Sequence, residues 1–250
     1  MFYSKKLSRF KNIKHAFFNK KGGHSKGIYK SLNCGMGSKD NKNLVIKNLK
    51  IVSNKIGVKK KNLILLNQIH SKKIYFLKKI PKKKLIGDGL ITKQKKVGIG
   101  ILTADCAPVL FYDKKKTIIG AAHVGWKGAY KKILPDMVKL LKKYGSKLKD
   151  ICVVIGPCIS KINYEVKKDF RLKFLSKSKE NIKYFRVKGK KTFFDLKQYI
   201  YDQIKQSGIS NIDIIKKDTF NKNNNFFSAR RSLKNKYNDY GRNISIIMIK

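Results

Sequence analysis

Histidine and cysteine are both scarce in this chain, four of each among 250. Three of those eight, His70, Cys106 and His123, stand at the ends of apolar runs that read as strands. Two imidazoles and one thiolate form a usual catalytic zinc set, with a fourth position left for water. The spacing is non-local, 36 residues and then 17, so the trio is not a compact metal motif. Asp88 and Asp105 are candidates for acid/base work or for orienting a ligand imidazole. For Asp88 in Gly87-Asp-Gly, turn capping is the plain alternative. The same residues also suit a metal-free cysteine hydrolase or amidase, with Cys106 as nucleophile and His123 as base.

The elements around these residues decide whether they can meet. Cys106 lies in Thr103-Ala-Asp-Cys-Ala-Pro-Val-Leu110, where Asp105 falls between two apolar runs and needs a partner. Pro108 withholds a ladder donor and marks a strand end or bulge. His123 closes an apolar strand ahead of Gly125-Trp-Lys-Gly128, a glycine-rich turn into a helix. If residues 113–117 form the hairpin loop, paired residue numbers sum to 230. Cys106 then faces position 124, and one bulge near Pro108 brings it to His123. His70 ends the run 63–66, and a single histidine at a strand end is more often structural than a ligand.

Period-3.6 stripes and end signals predict helices at about 42–56, 129–143 and 195–208. Short β-type runs fall at 63–66, 74–77, 90–92, 97–103, 109–112, 118–124, 151–155, 212–215 and 244–249. The order is not a regular βαβ alternation, which favours an α+β sandwich with sheets packed together and helices outside. Without a linker, repeat or composition break, residues 1–250 are expected to form one domain.

Composition sets broad limits. The chain is 42% hydrophobic, enough for a proper core. It has neither an export signal nor a run of ~20 apolar residues, so a cytoplasmic protein with no membrane association is expected, its cysteines reduced. The net charge of +47, from 61 basic and 14 acidic residues, suggests a nucleic-acid binder. The lysines spread over the whole chain without an aromatic-basic reader motif, so specific nucleic-acid binding is not expected. Only six basic residues are arginines. Arg230, Arg231 and Arg242 cluster near the end, where guanidinium geometry suits an anion clamp. Arg230 and Arg231 are the first candidates for that clamp, with Lys127 or Arg242 as auxiliaries. A solvated surface pair is the competing reading.

Taken together, the segments resemble the YfiH-like, laccase-domain family of purine nucleoside enzymes. The resemblance rests on Lys21-Gly-Gly-His-Ser-Lys-Gly-Ile-Tyr-Lys-Ser-Leu-Asn33, Asn67-Gln-Ile-His70, Asp88-Gly-Leu-Ile-Thr92, the Cys106 and His123 segments, Ile155-Gly-Pro-Cys-Ile159, Tyr164-Glu-Val166, and Phe226-Phe-Ser-Ala-Arg-Arg231 with Gly241-Arg242. It implies that His70, Cys106 and His123 bind zinc, with copper as the other metal. It implies phosphorolysis of adenosine, inosine, guanosine or methylthioadenosine, with phosphate expected at Arg230 and Arg231, and some adenosine deamination; no obligate protein partner is expected. It also implies a mixed β-sandwich core with flanking helices, related to cysteine-hydrolase toxins. Copper-dependent phenol oxidation, suggested by the older family name, fits poorly with four histidines. The chain departs from the family pattern at Lys127, where many members have arginine, at Tyr240, where threonine is common, and at Asp218, where cysteine is common.

Overall fold

The computed structural model describes residues 1–250. In chain order the strands are Ile13–Phe17 (β1), Leu63–Leu65 (β2), Ile74–Leu77 (β3), Gly89–Thr92 (β4), Gly98–Thr103 (β5), Ala107–Asp113 (β6), Ile118–Val124 (β7), Ile151–Ile155 (β8), Glu165–Val166 (β9), Phe185–Lys188 (β10), Lys191–Phe194 (β11), Ile212–Ile214 (β12) and Asn243–Ile249 (β13). The α-helices are Lys42–Ile56 (α1), Trp126–Tyr130 (α2), Ile133–Lys143 (α3), Lys168–Lys177 (α4), Leu196–Gln206 (α5) and Ala229–Lys234 (α6).

Side-chain alternation sorts the strands into layers. A four-stranded sheet, β1-β13-β5-β2, packs on a six-stranded sheet, β12-β8-β6-β7-β4-β3, and both mix parallel with antiparallel pairs. Between them lie Leu110, Tyr112, Ile119 and Ala121 from one sheet and Ile99, Ile101, Ile247 and Ile249 from the other. Residues one place along point outward. Val109, Phe111, Ala122 and Val124 pack beneath α3 and α5, while Ile244, Ile246 and Met248 pack beneath α1. The layers therefore run helix, sheet, sheet, helix, which is the expected α+β mixed sandwich with flanking helices. Strands β6, β7, β8 and β13 are buried along their whole length. Their near-continuous apolar sequences follow from being covered on both faces. No helix is long and apolar enough to cross a membrane.

Two local expectations are corrected. Helix 129–143 is broken, with Lys132 at φ 62° between α2 and α3. Pro135 is the reason: in one continuous helix its ring would strike the Lys131 carbonyl, whereas in the first turn of α3 its missing N–H has no intrahelical partner to lose. The hairpin register sums to 231, not 230, pairing Pro108 with His123 and Asp113 with Ile118. Asp113 stays in the strand because its Oδ1 accepts the N–H groups of Lys115 and Lys116 at 2.8 and 2.9 Å, which starts the turn one residue later. The small sheet β10-β11-β9 and helix α4 lie in the lysine-rich stretch, where no apolar period marks them.

Candidate metal centre

With Pro108 opposite His123, Cys106 is the diagonal neighbour two residues along on the same face. That face is the sandwich interior, so both side chains emerge at the open end between the sheets, and no bulge is needed to join them. Asp105, at φ 86°, turns the chain into β6. His70 arrives from the other sheet, on the loop that follows β2. Gln68 stitches this loop to the end of β5: its Nε2 donates to the Leu102 carbonyl at 2.7 Å and its Oε1 accepts the Leu102 N–H at 2.8 Å. A side chain thus continues the ladder where the β2 backbone leaves it.

Asp88 fixes the rest. Its buried carboxylate accepts the N–H groups of Ile69 at 3.3 Å, His70 at 3.0 Å and Ser71 at 2.6 Å, and the Ser71 hydroxyl at 2.7 Å. These bonds hold His70 in a left-handed conformation, φ 58°, which histidine adopts uncommonly. The same carboxylate lies 2.7 Å from His123 Nδ1, leaving Nε2 free for a metal. Burial alone would raise Asp88, but the bonds from His123 and Ser71 outweigh it and hold the group at about 2. Burial likewise acts to raise Cys106, and the His123 and His70 imidazoles overcome it, so the thiol falls below its ordinary value. His123 is raised despite burial, by Cys106 and Asp88. Both shifts draw the proton away from the Cys106 thiol and toward His123, and a metal cation would take that proton's place.

The donors suit one ion. One ligand atom each from His70, Cys106 and His123 lie within 4.8 Å of one another, and no other histidine, cysteine or carboxylate cluster in the structure does so. Cys106 Sγ and His70 Nε2 are 3.8 Å apart. A tetrahedral zinc edge between sulfur and nitrogen is about 3.6 Å. Gly125 is what permits this approach: a Cβ there would stand 2.7 Å from Cys106 Sγ and 3.1 Å from His70 Cδ2.

Two cavities flank the trio, of about 310 Å³ and about 210 Å³. His70, Ala104, Cys106 and Tyr240 line both. Lys84 and Arg242 reach the first, and Arg230 and Tyr164 the second. Arg242 lies 4.3 Å from the centre of the Tyr240 ring and pairs with Asp239 at 2.9 Å.

The structure thus brings His70, Cys106, His123 and Asp88 together and sets Arg230 beside them, over the Tyr164 ring. It does not bring Arg231 there. The Arg231 guanidinium donates to the carbonyls of Thr219 at 2.9 Å, Phe220 at 2.7 Å and Phe226, and lines a different cavity. Asp105 meets no imidazole either. Its carboxylate takes the Thr219 and Ser228 hydroxyls at 2.7 and 2.9 Å and the Arg230 N–H at 2.7 Å, tying the start of α6 to the loop before Cys106. Cys158 is fully buried, its thiol pushed up to about 12 by burial. Trp126 packs on Phe170 and borders a groove that shares Tyr164 and Arg230 with the second cavity. Gln68, Ser71 and Gly125 carry structural roles at the centre that residue type alone did not signal. For Gln68 the one sign was its place in Asn67-Gln-Ile-His70.

Comparison with known proteins agrees with this architecture. The profile of the multi-copper polyphenol oxidoreductase laccase family matches residues 14–250. A purine nucleoside phosphorylase of Rickettsia conorii is 34% identical over 197 residues, 76% of this chain and 81% of that protein. A purine nucleoside phosphorylase of Bacteroides thetaiotaomicron is 30% identical over 239 residues, 90% of this chain and 88% of that one. Among solved structures, the YfiH protein of Bacillus licheniformis superposes with a TM-score of 0.87 at 28% identity, covering 95% of this chain and 93% of its own. YlmD of Geobacillus stearothermophilus gives 0.86 at 25% identity, over 96% and 93%.

Proposed function

We propose that this chain, which belongs to the multi-copper polyphenol oxidoreductase laccase family, is a zinc-dependent purine nucleoside phosphorylase. The observation that carries the reading is one three-ligand centre, His70, Cys106 and His123, between two cavities, each bordered by an arginine. Relatives named purine nucleoside phosphorylase support the reaction class. A single His₂Cys set suits zinc with an open position. Multi-copper chemistry needs further histidine clusters, and the structure has one cluster.

Phosphorolysis breaks the bond between the purine nitrogen and the ribose C1 carbon. A phosphate oxygen bonds to that carbon, and the departing base takes a proton. The chain's own groups divide this work by position. Arg230 holds phosphate beside the trio, its guanidinium oriented by a 2.8 Å bond to the Glu165 carbonyl and by the Tyr164 ring. Tyr240, backed by Arg242, offers a flat surface for the purine where the cavities meet. Asp88 keeps His123 Nδ1 protonated and its Nε2 turned to the site. A bound zinc ion would supply Lewis acidity toward an oxygen and would lower the pKa of a coordinated water, which is the basis for adenosine deamination as a side activity.

The test is incubation of zinc-replete protein with adenosine and inosine, with and without phosphate. Free base and ribose 1-phosphate appearing only with phosphate is the expected result, lost with the metal in Cys106→Ala. Inosine formed from adenosine regardless of phosphate would instead make the protein a deaminase. No turnover of either nucleoside would sink the reading. The lowered Cys106 thiol facing His123 favours one second reading, a cysteine hydrolase or amidase. Its mark is an acyl adduct on Cys106 in metal-free, active protein.

A further inference from the structure

Helix α6 presents its two arginines to different cavities. Arg230 borders the trio. Arg231 borders a cavity of about 360 Å³ on another side, together with Lys20, Lys30 and Lys222. Not one of the residues lining this second cavity is a carboxylate.

Its lysine and hydroxyl donors are also uncommitted. The ammonium groups of Lys20, Lys30 and Lys222 form no ion pair within 4.0 Å, and they make no hydrogen bond inside the protein. Ser232 and Tyr237 on the cavity wall likewise keep free hydroxyls. Arg231 by contrast is rigidly held, because three carbonyls fix its plane. Lys20 is only partly exposed, and burial together with the charges of Arg231 and Lys30 lowers its pKa. Partly desolvated like charges repel unless an anion shares them.

A surplus of lysine over the whole surface does not by itself make such a place. The other two cavities that gather three or more lysines or arginines also carry carboxylates, Glu165 and Asp169 in one and Glu180 in the other. Here Arg231, with its plane fixed, three lysines and two hydroxyl side chains line one space able to hold a small molecule.

We propose that Lys20, Lys30, Lys222 and Arg231 form a second anion site, which takes a phosphate group, free or carried on a small ester. It is separate from the phosphate position beside the trio and does not depend on the reaction assigned there. Fixed guanidinium geometry supplies directional hydrogen bonds to phosphate oxygens, and the lysines supply neutralising charge.

The experiment is isothermal titration with inorganic phosphate and, separately, with ribose 5-phosphate at constant ionic strength. Four proteins are compared: the native chain, Lys20→Gln/Lys222→Gln, Arg230→Gln, and a surface control, Lys59→Gln/Lys60→Gln. Arg231 is left intact because it also holds three carbonyls. Loss of two charge-assisted contacts should weaken binding by roughly 10-fold or more. The expected result is that the event kept in Arg230→Gln and in the control is the one weakened in Lys20→Gln/Lys222→Gln, which retains only the binding that Arg230 supports. Stronger binding of the ester assigns the site to a phosphorylated metabolite; equal or weaker binding assigns it to free phosphate. Equal affinity in Lys20→Gln/Lys222→Gln and the native chain, equal loss in the control, or no binding event in Arg230→Gln would each overturn the proposal.

Discussion

Gly125→Ala isolates the geometry of the metal centre from everything else in the fold. Gly125 has φ −80° and ψ 175°, a conformation open to any residue, so alanine adds no backbone strain. In the unfolded chain alanine is less free than glycine, which on its own favours folding by ~0.4–1 kcal/mol. The added methyl, however, would stand 2.7 Å from Cys106 Sγ and 3.1 Å from His70 Cδ2, where ordinary contact begins near 3.4 Å. The sulfur must therefore move by about 0.7 Å, while metal sites tolerate about 0.2 Å in ligand distance. Turning the thiol aside relieves the clash and removes a ligand. Zinc affinity should fall at least 10–100-fold, or ~1.4–2.8 kcal/mol. The melting temperature of the metal-free protein should stay within about 4 °C of the native value, as ~1 kcal/mol implies for a chain of this size. The assay pairs zinc titration against a competing chromophoric chelator with melts in excess chelator. An alanine variant that binds zinc as tightly as the native protein would refute the convergence of Cys106 and His70 over Gly125.

Asp88→Asn removes the charge that holds His123 Nδ1 and the 69–71 loop, and zinc affinity should drop about 10–100-fold; the same chelator competition reads it, and native affinity would show that Asp88 does not orient the ligands. Tyr240→Ala should raise KM for purine nucleosides by roughly 5–100-fold, the range of base stacking, while Tyr240→Phe should not; parallel loss in both variants would assign the effect to the hydroxyl. The neighbouring arginines should separate: Arg230→Met should lower kcat/KM with little change in stability, whereas Arg231→Met strands three carbonyls and should cost ~2 kcal/mol or more in urea unfolding. The opposite pattern would exchange their roles. Burial depresses His15 to about 4, and its Nε2 accepts the Ser4 N–H at 2.9 Å. Its folded value lies below the unfolded 6.5, so its contribution is full above that pH and is lost as pH falls toward 4, by up to ~3 kcal/mol. Urea unfolding at several pH values should show this acid loss flattened in His15→Asn; identical slopes in both proteins would exclude His15 as its source.

What residue order alone determines here is whatever depends on local period and on residue type. The unbroken apolar runs of β6 and β7 and the apolar stripes of α1, α3 and α5 announce strands covered on both faces and packed helices, because burial selects the positions these patterns mark. The chemistry of His70, Cys106 and His123 is legible as types, and the hairpin count brings Cys106 within one residue of its true position opposite the β7 end. The missing residue lies in the Asp113 turn, a side-chain to backbone bond that no period records. Tertiary structure alone decides the rest. His70 joins the trio from the opposite sheet, through Gln68 on β5 and Asp88 beneath the loop, because sandwich packing sets side by side two strand ends that are distant along the chain. It also separates Arg230 from Arg231. Adjacent residues on a short helix point about 100° apart, so one arginine reaches the trio and the next turns to carbonyls and lysines. Sequence adjacency could not tell them apart.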